Sequence, residues 1–533
     1  MIKHKILLTL LVTFIGYNSF SQASYVNIDI EKKYKEAKEL FVKEQFALAY
    51  FLLKELKQQY ADNTISDHTY INDDVNYYYI VCQLKLKHQV AEKEARRYVD
   101  VVANEPRRQL MSYHLAKYYF LQDDFSNAIN YYERTGLDNI SNEEIADVKF
   151  EKAYCYFNLK NFDQAKPLFE EVTQLNDNKY FIPANYYYGF LCYKDKEYNK
   201  ALSAFRLVET VEEYKGVVPY YIAEILYFEG KRDESLRYGE SVLARGGNLV
   251  YQREMNLLIG QLYFEKKNFV KALPLLEAYV NSSDKVDKEI LYELSFCYYN
   301  ANNLPKAIEG FKQLSNEKDS MGQNSMYLLG DCYLRNNQKE NARNAFQYCA
   351  YNNSNATQQK VSRFIYAKLS YELGYQDVAL NEMKKYLNDY PNSEYDTEAK
   401  EILVSLLANT NNFREALELY ESFGKPTPSM RKVYPKILYG RAVEFINDQQ
   451  LTKADELLDQ VLADANVGSI TPYANFWKGE IAYRNNKYDE AIRYLSLYVQ
   501  SNAPTQGEAN PTAAKYNLGY SLLKKENYSK ALN

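Results

Sequence analysis

An alanine recurs along this chain at an interval too regular for anything but a tandem repeat. It stands at Ala128, Ala165, Ala201, Ala272, Ala307, Ala342, Ala379, Ala416, Ala454, Ala491 and Ala531, with Ser235 filling the one long gap. The successive steps are 37, 36, 34, 37, 35, 35, 37, 37, 38, 37 and 40 residues. A period in this range marks a solenoid, in which no unit buries its apolar face alone and each stacks on its neighbours. A further copy reads at Ala37, Phe46 and Ala49, and a blurred one spans residues 82–103. The copies near residues 90 and 235 are degenerate.

Two stretches display the unit: KAYCYFNLKNFDQAKPLFEEV from Lys152 and IGQLYFEKKNFVKALPLLEAY from Ile259. A small residue is followed three later by Tyr. A polar turn comes next, then an aromatic residue, an Ala three further on, and a large apolar residue four after that. Both halves carry helical spacing, so each unit predicts two amphipathic helices. The small residues of the first helix (Ala116, Ala153, Gly189, Ala223, Gly260, Ser295, Gly330) leave room for the partner helix. Asp124, Asn161, Asn268, Asn303, Asn412 and Asn527 stand where a side chain caps the second helix, each cap contributing ~1 kcal/mol. Turns this short force antiparallel pairs. Pro167 and Pro274 fall near the start of a second helix, where fewer N–H groups need partners, and Pro305 at its favoured first position.

Composition fits an all-α chain. With 13 Pro and 19 Gly in 533 residues there is little material for a loop-rich β-sandwich or flexible linkers. The net charge is −5 and no run of Lys or Arg appears, so the basic stripe that nucleic acid requires is missing and no nucleic-acid partner is expected. Aromatic residues are over-abundant and one-sided: 55 Tyr against a single Trp, Trp477.

The N-terminus reads as an export signal. Met1 to Lys5 is short and basic, Ile6 to Ile15 is apolar, and Gly16 to Gln22 is small and polar. The apolar run is too short to cross a ~30 Å hydrocarbon core, so cleavage near Gln22 or Ala23 is expected rather than anchoring. No Cys follows the run to carry a lipid; the first is Cys82. Nor does any later stretch approach the ~20 apolar residues of a spanning helix. The segments are thus 1–22 signal peptide, 23–105 divergent N-terminal repeats and 106–533 tandem array with an incomplete last repeat. The array stops at Asn533, in the middle of a second helix and without a polar cap, which predicts that the natural protein continues. Six cysteines (Cys82, Cys155, Cys192, Cys297, Cys332, Cys349) sit in apolar helical surroundings without CxxC spacing, and are expected as buried free thiols. Only Cys332 and Cys349 are close enough in sequence to suggest a bridge.

Chemistry fails on inventory. His4 leaves with the signal, and His68, His88 and His114 are isolated; no catalytic or nucleotide-binding motif appears. Neither an enzyme, a metal site nor a cofactor is expected.

On Ala153, Tyr156, Phe162, Ala165 and Phe169, with Pro391 closing the repeat of Ala379, the chain resembles the tetratricopeptide repeat (TPR) family. The likeness covers nearly the whole mature chain, about fourteen copies. It implies a right-handed superhelical solenoid of antiparallel helix pairs, a TPR-like α-α superhelix whose first helices line a concave face. The loops run a few residues longer than the family's and the closing Pro is mostly missing, which leaves the pitch open.

Three residues before and four after most of the small positions, two turns apart on one helical face, this sequence places aromatics. They are Tyr113, Phe120, Phe150, Phe157, Tyr186, Tyr193, Tyr220, Tyr227, Phe264, Tyr292, Tyr299, Tyr327, Phe364 and Tyr371, and the row continues through Tyr439, Phe476, Tyr483 and Tyr516. One reading is a partner-binding groove, since Tyr offers rigid contact area with a polar tip. The other is packing between neighbouring repeats. Charges among them (Lys117, Glu224, Asp331, Lys368, Glu480) are of both signs and imply no ligand charge.

The expected function is a protein-binding scaffold, periplasmic or outer-membrane-associated in a Gram-negative bacterium, resembling exported tetratricopeptide proteins that coordinate envelope assembly. Two alternatives stay open. One is glycan capture, by resemblance to the SusD-like starch-binding family. The other is the sensory part of a longer receptor.

Overall fold

The computed structural model describes residues 30–61 and 69–532. The signal segment, His4 and His68 lie outside them. The described residues form 28 α-helices and no strand, the one extended pairing being an isolated bridge between Gln506 and Ala509. No helix among them is long and apolar enough to cross a membrane.

The chain divides into two packing units, Met1–Tyr251 and Gln252–Asn533. The first holds α1 Ile30–Val42, α2 Phe46–Ala61, α3 Thr69–Lys85, α4 Ala91–Val101, α5 Glu105–Phe120, α6 Phe125–Glu133, α7 Asn142–Asn158, α8 Phe162–Val172, α9 Phe181–Lys194, α10 Tyr198–Val208, α11 Val218–Phe228 and α12 Arg232–Arg245. The second holds α13 Gln252–Glu265, α14 Phe269–Asn281, α15 Lys288–Asn300, α16 Leu304–Gln313, α17 Ser320–Arg335, α18 Lys339–Tyr351, α19 Ala356–Glu372, α20 Gln376–Asp389, α21 Asp396–Asn409, α22 Phe413–Glu421, α23 Pro428–Asn447, α24 Leu451–Ala463, α25 Thr471–Arg484, α26 Tyr488–Ser501, α27 Pro511–Lys524 and α28 Tyr528–Ala531. Odd-numbered helices are the first, even-numbered the second members of antiparallel pairs.

Several pairs are locked by one contact between residues sixteen apart, such as Gly189 with Phe205, Gly260 with Leu276 and Gly479 with Leu495. The repeat alanine and the large residue four later share a face of the second helix, and both are buried: Ala165 with Phe169, Ala201 with Phe205, Ala342 with Phe346, Ala491 with Leu495. That large residue lies against the small residue of the first helix. A side chain on Gly330 would stand 2.8 Å from the Phe346 ring, so only a small residue lets the helices approach this far. The degenerate copy obeys the same geometry with different atoms. Gly239 occupies the large residue's place, and buried Ser235 donates its hydroxyl to the Ala223 carbonyl at 2.7 Å.

Every pair also closes on one turn. At Lys160 the backbone is left-handed (φ 60°); its N–H donates to the Phe157 carbonyl at 3.0 Å and that of Asn161 to the Tyr156 carbonyl at 2.9 Å. These two bonds satisfy carbonyls that a helix end leaves without partners. Left-handed residues recur at Glu44, Lys87, Asp123, Lys196, Gly230, Lys267, Asn302, Asn337, Gly374, Asn411, Gln449, Asn486 and Glu526. Each precedes the repeat alanine or its stand-in by five residues, except Lys87, which precedes Ala91 by four. That slip explains why the copy near residue 90 reads as blurred.

The caps divide. Asp124, Asn268 and Asn303 accept from the backbone N–H of Asn127, Lys271 and Lys306. Asn161, Asn412 and Asn527 make no such bond. Asn412 instead turns its amide back to the Thr410 hydroxyl at 2.8 Å. Pro167 and Pro274 each stand sixth in their helices, inside rather than at the start, so each helix forgoes one interior hydrogen bond. Pro305 is the second residue of α16, where its missing N–H costs nothing.

Candidate protein-binding face

The aromatic row takes its geometry from two repeating contacts. Residues three before the small position stack on an aromatic just ahead of the next first helix. Phe150 lies 4.1 Å from Tyr180 with planes 9° apart, Phe364 lies 4.5 Å from Tyr395 at 8°, and Tyr186 lies 4.5 Å from Tyr214 at 22°. Tyr220 meets Tyr251 at 5.1 Å, tilted by 38°. Residues four after the small position meet the residue one after it in the next repeat. Phe120 pairs with Tyr154 at 5.9 Å, Phe157 with Phe190 at 5.9 Å, and Phe264 with Phe296 at 5.8 Å. Where the facing residue is acidic, the aromatic is Tyr: Tyr193 donates to Glu224, and Tyr299 donates to Asp331 at 2.8 Å.

Much of the row therefore joins repeat to repeat. Tyr113, Phe150 and Phe364 are buried. Phe120, Phe157, Tyr186, Tyr193, Tyr220, Tyr227, Phe264, Tyr292, Tyr299, Tyr327 and Tyr371 are half-buried. Tyr327 and Tyr292 turn toward their own second helices, 5.7 Å from Phe346 and 6.1 Å from Phe311. Sequence reasoning missed the stacking partners Tyr180, Tyr214, Tyr251 and Tyr395. Their shared signal is an aromatic within four residues ahead of a first helix.

The charges among the aromatics are answered internally. Lys117 Nζ lies 2.8 Å from Asp147 Oδ2 and 3.6 Å from Glu151 Oε1; Lys179 also reaches Asp147 at 2.9 Å. Both carboxylates are buried, and Glu151 further accepts from the Tyr132 and Tyr180 hydroxyls. Burial works against the Lys117 charge, but Glu151 and Asp147 outweigh it and hold its pKa above the ordinary lysine value. Lys368 pairs with Glu398 at 2.6 Å, Asp331 with Arg335 at 2.9 Å, and Glu480 with Arg484 at 2.9 Å.

His114 bonds the Tyr77 hydroxyl at 3.0 Å, and burial with Lys85 and Lys117 pushes its pKa down to about 3. It is neutral at physiological pH. His88 packs edge-on against Tyr50. Among the described residues no cluster of metal-ligating side chains occurs. All six cysteines are free and buried, Cys332 and Cys349 included, and burial pushes Cys82, Cys155, Cys297 and Cys349 up to about 12. Trp477 is buried too, so it offers no open platform for a sugar ring. Beside it a cavity of about 590 Å³ opens on the row at Tyr439, walled by Phe413, Val443 and the turn at Gly507.

Comparison with known proteins agrees with the repeat reading. Models described as tetratricopeptide repeat match residues 146–179, 324–356 and 439–507. Tetratricopeptide repeats thus occur in both packing units. No curated protein matches the sequence. Among solved structures, YrrB, a TPR protein with an unusual peptide-binding site, is similar over 38% of this chain and all of its own, at 14% identity and TM-score 0.30. A tetratricopeptide repeat protein from Parabacteroides merdae is similar over 47% of this chain and 94% of its own, at 13% identity and TM-score 0.26. The TPR2AB domain of yeast Sti1, in complex with pHSP90, is similar over 51% and 98%, at 17% identity and TM-score 0.26. At scores this low no property passes from them to this chain.

Proposed function

We propose that this chain, with tetratricopeptide repeats in both of its units, is a non-catalytic scaffold that binds segments or helices of partner proteins along the aromatic face of its first helices. One observation carries the reading. After the repeat-to-repeat contacts are made, Tyr193 on α9, Tyr227 on α11, Tyr299 on α15 and Tyr371 on α19 are still only half-buried. A series of rigid rings with polar tips binds extended chain at low entropic cost. The mixed, internally paired charges leave shape and apolar contact as the selecting features. The export signal read in residues 1–22 supports a place in the cell envelope, periplasmic or at the outer membrane.

The test is capture from envelope fractions of a Gram-negative cell with the tagged full chain, its Tyr227→Ala variant and its Tyr371→Ala variant. The expected result is a protein retained by the parent chain and lost or depleted with the variants, whose circular dichroism is unchanged. No retained protein, or equal retention by all three, counts against the proposal.

A further inference from the structure

The α11–α12 repeat, the one lacking its alanine, borders a cavity of about 520 Å³ made by α10, α12, the first turn of α11 and the neighbouring loops. Two loops are pinned together at its rim. Val250 N–H donates to the Gly216 carbonyl at 2.9 Å, and a side chain on Gly216 would meet the Asn248 carbonyl oxygen at 2.8 Å. The 246–249 loop is thereby held against the segment that leads into α11.

Positive charge dominates this cavity. Arg206, Lys215 and Arg245 line it against a single carboxylate, Glu209. Glu209 is already engaged: Arg206 Nη1 reaches its two oxygens at 3.2 and 3.1 Å, and the Tyr238 hydroxyl donates to it at 2.7 Å. Lys215 pairs with Glu212 at 2.6 Å. Arg245 differs, because its bonds go to the Ser241 carbonyl and hydroxyl, at 3.3 and 3.2 Å, both uncharged. Next to it Gly246 (φ 67°, ψ −170°) and Gly247 (φ 112°) hold a backbone that only glycine adopts readily, with nothing within 4 Å of where a Cβ would stand. Gly246 N–H already donates to the Leu243 carbonyl at 3.3 Å, which leaves the Gly247 N–H as the main-chain donor beside a guanidinium whose partners are neutral, a pairing that suits an oxyanion.

We propose that this cavity binds a small organic oxyanion, with a phosphate or carboxylate head at Arg245 and the Gly247 N–H. The ligand's apolar body rests against Pro219, Tyr238 and Val242. The volume exceeds that of a bare phosphate ion and falls within the ~300–1,000 Å³ of ligand pockets.

Isothermal titration of the full chain with phenyl phosphate, phenylacetate and inorganic phosphate tests this. Expected is saturable binding of at least one aryl probe, about tenfold or more tighter than inorganic phosphate; the tighter aryl probe identifies the head group. Arg245→Gln weakens it about tenfold or more, as loss of a charge-assisted pair does. Arg414→Gln, at an exposed arginine elsewhere, leaves it unchanged. Arg245 is exposed and bonded only within its own helix, so its loss leaves the fold intact, checked by circular dichroism. The proposal is overturned if neither aryl probe binds, if inorganic phosphate binds as tightly as they do, or if Arg245→Gln or Arg414→Gln behaves contrary to expectation.

Discussion

Phe150 and Tyr180 lie face to face, 4.1 Å between centroids, although one belongs to α7 and the other stands at the mouth of α9 in the next repeat. The same Phe150 meets Phe169 edge-on at 5.6 Å within its own pair. One ring thus ties a helix pair together and joins it to its successor.

Replacing Phe150 with Ala is expected to cost about 3–5 kcal/mol, as for other buried aromatics. A solenoid need not unfold in one step, so the loss should be read locally. Hydrogen exchange in α7, α8 and α9 should quicken while α1 and α2 stay as protected as before. A variant with unchanged exchange in α9 would remove the stacking from the account.

Lys117 neutralises two buried carboxylates at once. Lys117→Met leaves Asp147 and Glu151 without their closest cation, and a broken buried pair costs about 3–5 kcal/mol. Urea denaturation followed over α5 to α9 should show it. Adding Asp147→Asn to the variant should restore part of the loss, and a double variant worse than the single would contradict the assignment.

Alkali should weaken the fold ahead of any covalent damage. Burial pushes Tyr113, against the opposing pull of Lys117, and Cys155 each up to about 12. The unfolded chain releases these protons near 10 for Tyr and 8.5 for Cys. Between those values and about 12 the unfolded state binds fewer protons, so stability is full below pH ~8.5 and falls as pH rises, by up to ~1.4 kcal/mol per pH unit for each group. The urea midpoint should drop from pH 8 to pH 11. No thiol should react with a disulfide reagent at pH 8 before denaturant is added.

Lys160 holds a left-handed backbone that disfavours any side chain. Lys160→Gly should raise the melting temperature, by about 0.5–1 kcal/mol of stability, while Lys160→Val should lower it by at least ~1 kcal/mol. Equal melting points for both would mean the turn does not constrain the pair.

Much of this was legible beforehand. Ala165, Phe169 and their counterparts recur because helix approach depends on side-chain volume, which residue type records directly. The left-handed turn was not legible. It is held by backbone bonds that unbranched polar side chains still permit, so Lys, Asp, Glu and Gln serve at many turns, and only Gly230, Gly374, Asn302, Asn337, Asn411 and Asn486 show residue types that such a backbone favours. Nor did the Phe150–Tyr180 and Phe364–Tyr395 stacks emerge from spacing. The intervening loops differ in length, so Tyr186 finds its partner 28 residues on and Phe364 finds its own after 31.

Photo-crosslinking gives the most direct test of where a partner sits. Benzoylphenylalanine is placed at Tyr227, half-buried on first helix α11, or at Val270, 83% exposed on second helix α14, in separate chains incubated with envelope fractions. The proposal predicts a protein adduct from position 227 and none from position 270. Adducts from position 270 alone, or equally from both, would contradict it.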